Sequence, residues 1–506
     1  MPTLNWIGKE AVVNHDKEVP FRLLRKVKSA SVGDNSQNLI IHGDNLEALK
    51  ALMPYYGGKV KCIYIDPPYN TGNESWVYND KVNSPKIKKW LGKVVGNQIA
   101  DLCHHDKWLC MMYPRLKLLR DLLSDDGVIF VSMDDNEHCH LKIVMDEIFG
   151  EENFIDSIVW DKKSSAKGVP PKNMIVNVHE YIIAYQKHDG FKFVGQERTE
   201  ESGKFKNPDN DPRGPWRESN IKSTTKSIDQ AFTIVDQNTG RAYTNTWAFS
   251  KESLERMIKE DRILWKETLP KQKEFMHEMR NENMAIKSHW GVFDAQSTTV
   301  FLKELLPDTK FDNPKPISLM EYLVRVATRN NDIILDSFAG SGTTGQAVLS
   351  LNKEDGGDRR FILIEMEDHV AKDITAERIK RVVKKYDYSD GFEFCELSKP
   401  LFNEKGHIEE ECDFDQFATY IYFTETQTNI DRAKVDKNFI GELNETEYYL
   451  IYTEKGKNIL NKGFLKKLRA TKAKKVIYAD NCTVDEKMLD EHNIVFKQIP
   501  YEVKVY

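Results

Sequence analysis

Short, uninterrupted apolar runs recur along the chain, separated by stretches with helical spacing. Asn38 to His42, Lys61 to Ile65, Gly127 to Met133, Ile333 to Leu335 and Phe361 to Glu365 read as buried parallel strands. Leu46 to Leu52 and Trp108 to Leu123 carry their apolar positions on one helical face. That alternation predicts an α/β domain built around a mostly parallel sheet. Ile155 to Asp161 and His179 to Gln186 read as a hairpin extending the sheet, across a loop holding Lys163, Lys167 and Pro170-Pro171. From about Gly190 to Asp312 the sequence turns polar, rich in Trp, Lys, Arg and Asn, and loses any period. Alternation resumes at Asn313. After Glu396, the runs Tyr449 to Tyr452, Lys475 to Tyr478 and Ile494 to Gln498 predict a small C-terminal α/β unit.

These changes divide the chain into an N-terminal extension (1–37), two halves of one α/β domain (38–189 and 311–395), an insertion (190–310) and a C-terminal domain (396–506). A chain of 506 residues exceeds what one hydrophobic core supports, which agrees with that division. Hydrophobic content of 40% and charged content of 30% suit a soluble globular protein, and no apolar run reaches membrane-spanning length. Met1 to Glu18 lacks a secretion pattern, and the seven cysteines lack regular spacing, so a cytoplasmic protein without a membrane partner is expected. A net charge of −6 excludes coating nucleic acid by bulk charge; such contact requires a local basic surface.

The strand Ile333-Ile334-Leu335 runs into Asp336-Ser337-Phe338-Ala339-Gly340-Ser341-Gly342-Thr343-Thr344, and Gln346 to Leu351 looks like the start of a helix. In an open α/β sheet a nucleotide-like ligand sits outside such a strand end, where glycines admit the ligand and the helix start offers N–H groups. The spacing is not the dinucleotide pattern, and Thr343-Thr344 in place of Lys-Ser or Lys-Thr disfavours a phosphate loop. The strand Ile362-Leu363-Ile364 ends in Glu365, a carboxylate suited to a ribose diol. Together these point to a ribose-bearing cofactor.

A second strand, Cys62-Ile63-Tyr64-Ile65, ends in Asp66-Pro67-Pro68-Tyr69. The prolines stop the sheet and lack N–H groups, so the tetrapeptide presents acceptors: the Asp66 carboxylate and the Pro67 carbonyl. An amine donating two hydrogens to them, its ring stacked on Tyr69, fits such a pocket. Adenine's exocyclic amine meets that description. Two hydrogen bonds would draw its nitrogen toward tetrahedral geometry and localise its lone pair. A base inside a duplex cannot reach the pocket without flipping out.

These residues resemble the amino-methyltransferases of DNA, whose two signatures are Asp66-Pro67-Pro68-Tyr69 and Phe338-Ala339-Gly340-Ser341-Gly342. The order, tetrapeptide first and glycine turn last, resembles the circularly permuted beta class, with a target-recognition region between them. The resemblance implies a Rossmann-like methyltransferase fold, S-adenosylmethionine as cofactor and double-stranded DNA as substrate. It also implies that Asp44, in His42-Gly43-Asp44-Asn45, lies near the cofactor's adenine, and Lys315, in Phe311 to Pro316, near its methionine end. Tyr113-Pro114-Arg115-Leu116 and Val131 to Glu137 look like type III restriction-modification Mod subunits. By analogy, a nuclease/helicase restriction subunit is a partner, and the C-terminal unit is a docking or homodimer surface. Ser337 departs from the family's usual proline. Asp66 at the head of the tetrapeptide, where serine also occurs, implies adenine; cytosine methylated on its exocyclic nitrogen is the closest alternative.

Gly203 to Lys226 carries six basic residues against three acidic. Its Arg213, Trp216, Arg217, Lys222 and Lys226, with Lys163 and Lys167 of the earlier loop, are the candidates for DNA contact. Cys103-His104-His105, Cys110 and His138-Cys139-His140 suggest a metal, but no CxxC pair is present, and structural roles are favoured over a zinc site. The absence of a Walker lysine argues against a motor. A non-catalytic recognition subunit requires a decayed pocket, whereas both signatures look intact. RNA or protein as methyl acceptor remains open on the tetrapeptide alone.

Overall fold

The computed structural model describes residues 3–33, 36–70, 104–162, 174–281, 283–403, 406–453 and 458–499. They form two compact units, one of residues 1–193 with 287–506 and the other of Val194–Ile286.

The first unit is organised by a ten-stranded sheet. Six strands lie side by side and parallel, in the spatial order Glu393–Pro400, Leu39–His42, Arg360–Glu365, Ile333–Asp336, Val60–Ile65 and Leu123–Met133. The expected hairpin extends this sheet: His179–Gln186 pairs antiparallel with both Leu123–Met133 and Phe154–Asp161. His289–Val292 adds a parallel edge, and Arg22–Lys26 closes the opposite edge antiparallel to Glu393–Pro400.

Side-chain alternation explains the layers. In Val60–Ile65, Ile63 and Ile65 join one apolar cluster with Leu46, Leu49, Trp108 and Leu116, from the helices Asn45–Tyr56 and His104–Leu122. Cys62 and Tyr64 point the other way, into a cluster with Leu319, Leu323, Ala347 and Val348, from the helices Ile317–Ala327 and Thr343–Asp355. Burial on both faces is what a continuous apolar run signifies in a parallel sheet.

The crossovers turn at one point. From Ile333–Asp336 the chain moves to Arg360–Glu365 on one side, and from Val60–Ile65 it moves to Leu123–Met133 on the other. The crevice between these two outgoing directions is where open α/β sheets bind ligands. Four adjacent strands therefore end beside one another: Leu39–His42 before Asp44, Arg360–Glu365 with Glu365, Ile333–Asp336 with Asp336, and Val60–Ile65 before Asp66.

Gly342 opens the helix Thr343–Asp355 in the left-handed conformation (φ 78°), which favours glycine. Gly345 lets that helix lie close to the sheet; a Cβ there comes within 2.9 Å of Leu363 Cδ1 and 3.1 Å of Ile379 Cδ1.

Within the same unit, the strands Phe439–Leu443, Thr446–Leu450, Lys474–Ala479 and Ile494–Gln498 form a separate four-stranded sheet. The helix Phe414–Thr426 packs on it and starts with a capping box between Asp413 and Gln416. Asn429 ties this part to the helix Asn45–Tyr56, donating from Nδ2 to the carbonyls of Met53 (3.2 Å) and Pro54 (3.0 Å). Among the described residues no helix is long and apolar enough to cross a membrane.

The second unit is small and locally wired. Ile263–Leu264, Lys271–Phe275 and Trp216–Asn220 form an antiparallel sheet, and Phe232–Val235 pairs with Ala242–Asn245. Ile221, Ile234, Tyr243, Trp247 and Leu254 make its core. Lys273, 5% exposed, lies within 2.6 Å of Asp209, 3.2 Å of Asp211 and 3.4 Å of Asp261.

Gly345→Val should cost about 1–3 kcal/mol of stability, because the added branches meet the buried side chains of Leu363 and Ile379. Denaturant unfolding checks it, and a variant as stable as the parent means that the helix moves freely on the sheet.

Candidate active site

Asp66 follows a strand buried on both faces, and the two prolines after it end the sheet. Trp108, fully buried on the helix His104–Leu122, donates its indole N–H to the Pro68 carbonyl at 2.7 Å and pins the tetrapeptide from below. Asn70 takes the left-handed region (φ 57°), where Asn is tolerated, and hydrogen-bonds to Glu137 and to the His104 carbonyl (3.1 Å). The backbone leaving Tyr69 is thus turned by a named contact. Thr71 and Gly72 lie outside the described residues.

Lys315 is the electrostatic centre. Its Nζ lies 3.0 Å from Asp66 Oδ1 and 3.1 Å from Glu180 Oε2, and donates to the Tyr69 hydroxyl at 2.7 Å. It stands beyond the hydroxyl end of the Tyr69 ring, 4.8 Å from the centroid. The Tyr69 hydroxyl in turn donates to Glu180 Oε2 at 3.1 Å, and Lys162 approaches the other oxygen at 3.4 Å. Burial opposes the charge on Lys315, but Asp66 and Glu180 outweigh it and raise its pKa. Burial pushes Glu180 up, while Lys315 and Lys162 more than offset that and hold it below the usual carboxylate range. Asp66 keeps 28% of its side chain open to the cleft, yet loss of solvation pushes its carboxyl up against the pull of Lys315.

Asp336 lies across the cleft. Burial pushes it up to about 7, opposed by the Thr344 hydroxyl (2.6 Å) and the Phe338 N–H (3.0 Å). Glu365 Oε2 accepts from Gly340 N at 3.0 Å and Oε1 from Glu367 N at 2.9 Å, so this acid braces the glycine turn. Arg378, fully buried, reaches the same turn through Ser341 Oγ and Thr343 Oγ1, both at 2.8 Å. Burial alone lowers its pKa to about 9.

An open cleft joins the two signatures. Asp66, Lys315, Asp336, Phe338, Ala339, Gly340, Ser341 and Thr343 all line it. Gly342 and Glu365 are not among its lining residues; Glu365 reaches the turn through Gly340 N. Asp44 serves as N-cap of Asn45–Tyr56, accepting from Leu46 N (2.9 Å) and Glu47 N (3.3 Å), with Arg115 3.5 Å away.

The candidates for DNA contact divide. Arg213 is held by Asp211 at 2.6 Å and Arg217 by Glu274 at 2.7 Å. Trp216 is buried, its indole N–H on Asp209 at 2.8 Å, so its ring belongs to the interior of its unit. Lys222 and Lys226 are exposed, the latter donating to the Trp247 carbonyl at 2.8 Å. Lys163 and Lys167 lie outside the described residues.

Sequence reasoning missed Glu180, Glu137 and Arg378. The signal for Glu180 was available: an acid on the strand face shared with Ile182 and Ala184, both buried.

A cleft at the switch point of a mostly parallel sheet, with an acceptor-rich tetrapeptide facing a glycine turn, defines a Rossmann-like group-transfer enzyme. Residues 60–377 match the DNA methylase family. The chain is 32% identical to the type III restriction-modification enzyme EcoPI Mod subunit of Escherichia phage P1, with 76% of this chain and 68% of that protein covered. It is 33% identical to the StyLTI Mod subunit of Salmonella typhimurium (69% and 58% covered) and 30% identical to the EcoP15I Mod subunit of Escherichia coli (80% and 72% covered). The chain belongs to the DNA methylase family, and S-adenosylmethionine is the cofactor that goes with that enzyme class.

Replacing Lys315 by Met should destabilise the protein by about 3–5 kcal/mol at pH 7, because Asp66 then loses its cation and Glu180 keeps only Lys162. Glu180 has a depressed folded-state pKa, so its contribution is present above the ordinary carboxylate range and lost as pH falls through the folded value. The deficit should therefore shrink toward pH 3 in chemical denaturation; a deficit independent of pH would show that packing, not charge, is what Lys315 supplies.

Proposed function

We propose that this chain methylates the exocyclic N6 of adenine in duplex DNA, as the modification subunit of a type III-like restriction-modification system. The observation that carries this reading is the shared cleft: Asp66 and Asp336, from the ends of two paired strands, line one space.

The residues present suit the cofactor. Asp336 offers a carboxylate to a ligand ammonium, and Ser337 Oγ is buried without a hydrogen-bond partner among the described residues. Asp336 to Thr343 would hold S-adenosylmethionine, with Glu365 toward the ribose, Asp44 toward the adenine and Lys315 toward the methionine end. When bound, it supplies a methyl group activated on a sulfonium.

The chain's own work is positioning. The Asp66 carboxylate and the Pro67 carbonyl accept the two hydrogens of the target amine and orient its lone pair. Pro68, held by Trp108, keeps that carbonyl in place. Tyr69 provides the stacking face for the flipped base. With Tyr69 only 7% exposed, seating a base against its ring requires neighbouring groups to move aside. Lys315 then remains as a counter-charge to Asp66 and Glu180.

The partner readings follow from the Mod subunits this chain resembles: double-stranded DNA, a restriction subunit carrying nuclease and helicase functions, and a second copy of the chain. Residues 190–310 are read as the target-recognition region, where Lys222 and Lys226 are exposed cations and Arg213 and Arg217 are already paired.

Two measurements test this. Tritiated methyl transfer to unmethylated bacterial DNA, followed by nucleoside analysis, should yield N6-methyladenine, and Asp66→Ala should abolish it while cofactor binding persists. Methylcytosine in its place would correct the base and keep the mechanism. Replacing Lys222 and Lys226 together by Ala should weaken DNA binding uniformly across sequences and reduce the salt slope by about 1–2. An unchanged slope removes them from the phosphate contacts.

A further inference from the structure

The structure brings together residues that their spacing in sequence kept apart. Glu137, 0% exposed, hydrogen-bonds through one carboxylate oxygen to His105 Nδ1 (2.6 Å) and through the other to His140 Nδ1 (2.7 Å). Asn70 adds its amide to the first oxygen and donates to the His104 carbonyl at 3.1 Å. The His104 and His105 rings lie 3.8 Å apart and the His105 and His140 rings 4.7 Å apart. Donor atoms of His104, His105 and Glu137 all fall within 4.8 Å of one another.

We propose that His104, His105 and Glu137, with His140 alongside, form a binding site for a divalent transition metal of the zinc class. The donor set decides the class: two or three imidazoles and one carboxylate suit zinc, whereas magnesium and calcium prefer all-oxygen shells. Ligand atoms around tetrahedral zinc stand about 3.3 Å apart, given bonds of about 2.0–2.1 Å. Reaching that brings the widest separation in by roughly 1.5 Å and opens the His105–Glu137 contact from its present 2.6 Å. His104 is exposed, so an inward rotation of its side chain is what closes that distance. A neutral His105 frees Nδ1 for a metal by carrying its proton on Nε2, and the Glu137 carboxylate binds in its ionised form. No electron is transferred and no bond is made or broken beyond coordination and this proton shift.

The consequence is mechanical. Asn70 is the residue after Tyr69, and its amide holds the carboxylate that binds the metal; such outer contacts orient ligands and are oriented by them. A cation on Glu137 therefore fastens the turn after the tetrapeptide to His104 and His105 on the helix His104–Leu122, with His104 34 residues further along the chain than Asn70. The site does not depend on the adenine reading, because metal binding is measured directly.

The test uses full-length protein without a histidine tag. Metal analysis after purification without chelator, and zinc titration against a chromophoric competitor, should give one equivalent per chain, with zinc raising the melting temperature. His105→Ala should weaken zinc binding at least 10-fold. Because Glu137 is buried, Glu137→Gln could fail to fold; His104→Ala, on the exposed first turn, provides the second variant and should keep its fold while binding zinc more weakly. Zinc below 0.1 equivalent with no thermal shift, or equal binding by the parent and both histidine variants, overturns the site and leaves Glu137 as a hydrogen-bond hub.

Discussion

The pairing of Ile333–Asp336 with Val60–Ile65 is the constraint on which the rest depends. Both strands are buried on both faces, so their backbone groups can be satisfied only by neighbouring strands. The register Ile334 to Cys62 and Leu335 to Ile63 then fixes how far each strand projects, and with it the separation of Asp66 from Asp336. A slip of one residue would turn Ile63 and Ile65 toward the wrong layer, where Cys62 and Tyr64 now pack. The hydrophobic layers thus hold the polar site in register.

The site itself concentrates charge at a cost that pairing offsets. Lys315 joins Asp66, Glu180 and Tyr69 in one network, and such a group is tolerable in a half-closed cleft only because each charge meets another. Perturbed carboxyls gathered in a cleft are the signature of a working site more than of a stabilising one. Arg378 fits the same logic from behind. A fully buried guanidinium bound only to neutral oxygens of the turn and to Gln346 gives the glycine turn a rigid brace and leaves positive potential at its back.

The central strands and both signatures were legible because each depends on strong local rules. Apolar runs mark strands buried on both faces, and the Pro-Pro and Gly-Ser-Gly turns mark their ends. The sheet edges were not legible. Arg22–Lys26 and Glu393–Pro400 are rich in charge, and Arg25 pairs with Glu396 across them. The second unit was opaque for a related reason: its strands are two to five residues long, too short for a period to show. Arg217 looked available in sequence because its partner Glu274 lies far along the chain, on the neighbouring strand. Asp44 is a similar case. An Asp at a strand end followed by a helix satisfies the capping rule as well as a ligand rule, and the sequence does not separate the two.

Glu180 shows how the site exceeds its motifs. It stands on His179–Gln186, an antiparallel strand that breaks the parallel pattern and has no counterpart in the ligand-binding logic of the central strands. Yet it shares Lys315 with Asp66, so the electrostatics of the tetrapeptide depend on the hairpin as well as on the doubly buried strands. If Glu180 were absent, Lys315 would have Asp66 as its sole carboxylate within 4 Å among the described residues, and the two would bind each other more tightly. An Asp66 locked in that pair is a poorer acceptor for an incoming amine. By dividing the lysine's charge, Glu180 leaves Asp66 less tightly held, while its own negative charge pushes the Asp66 carboxyl up.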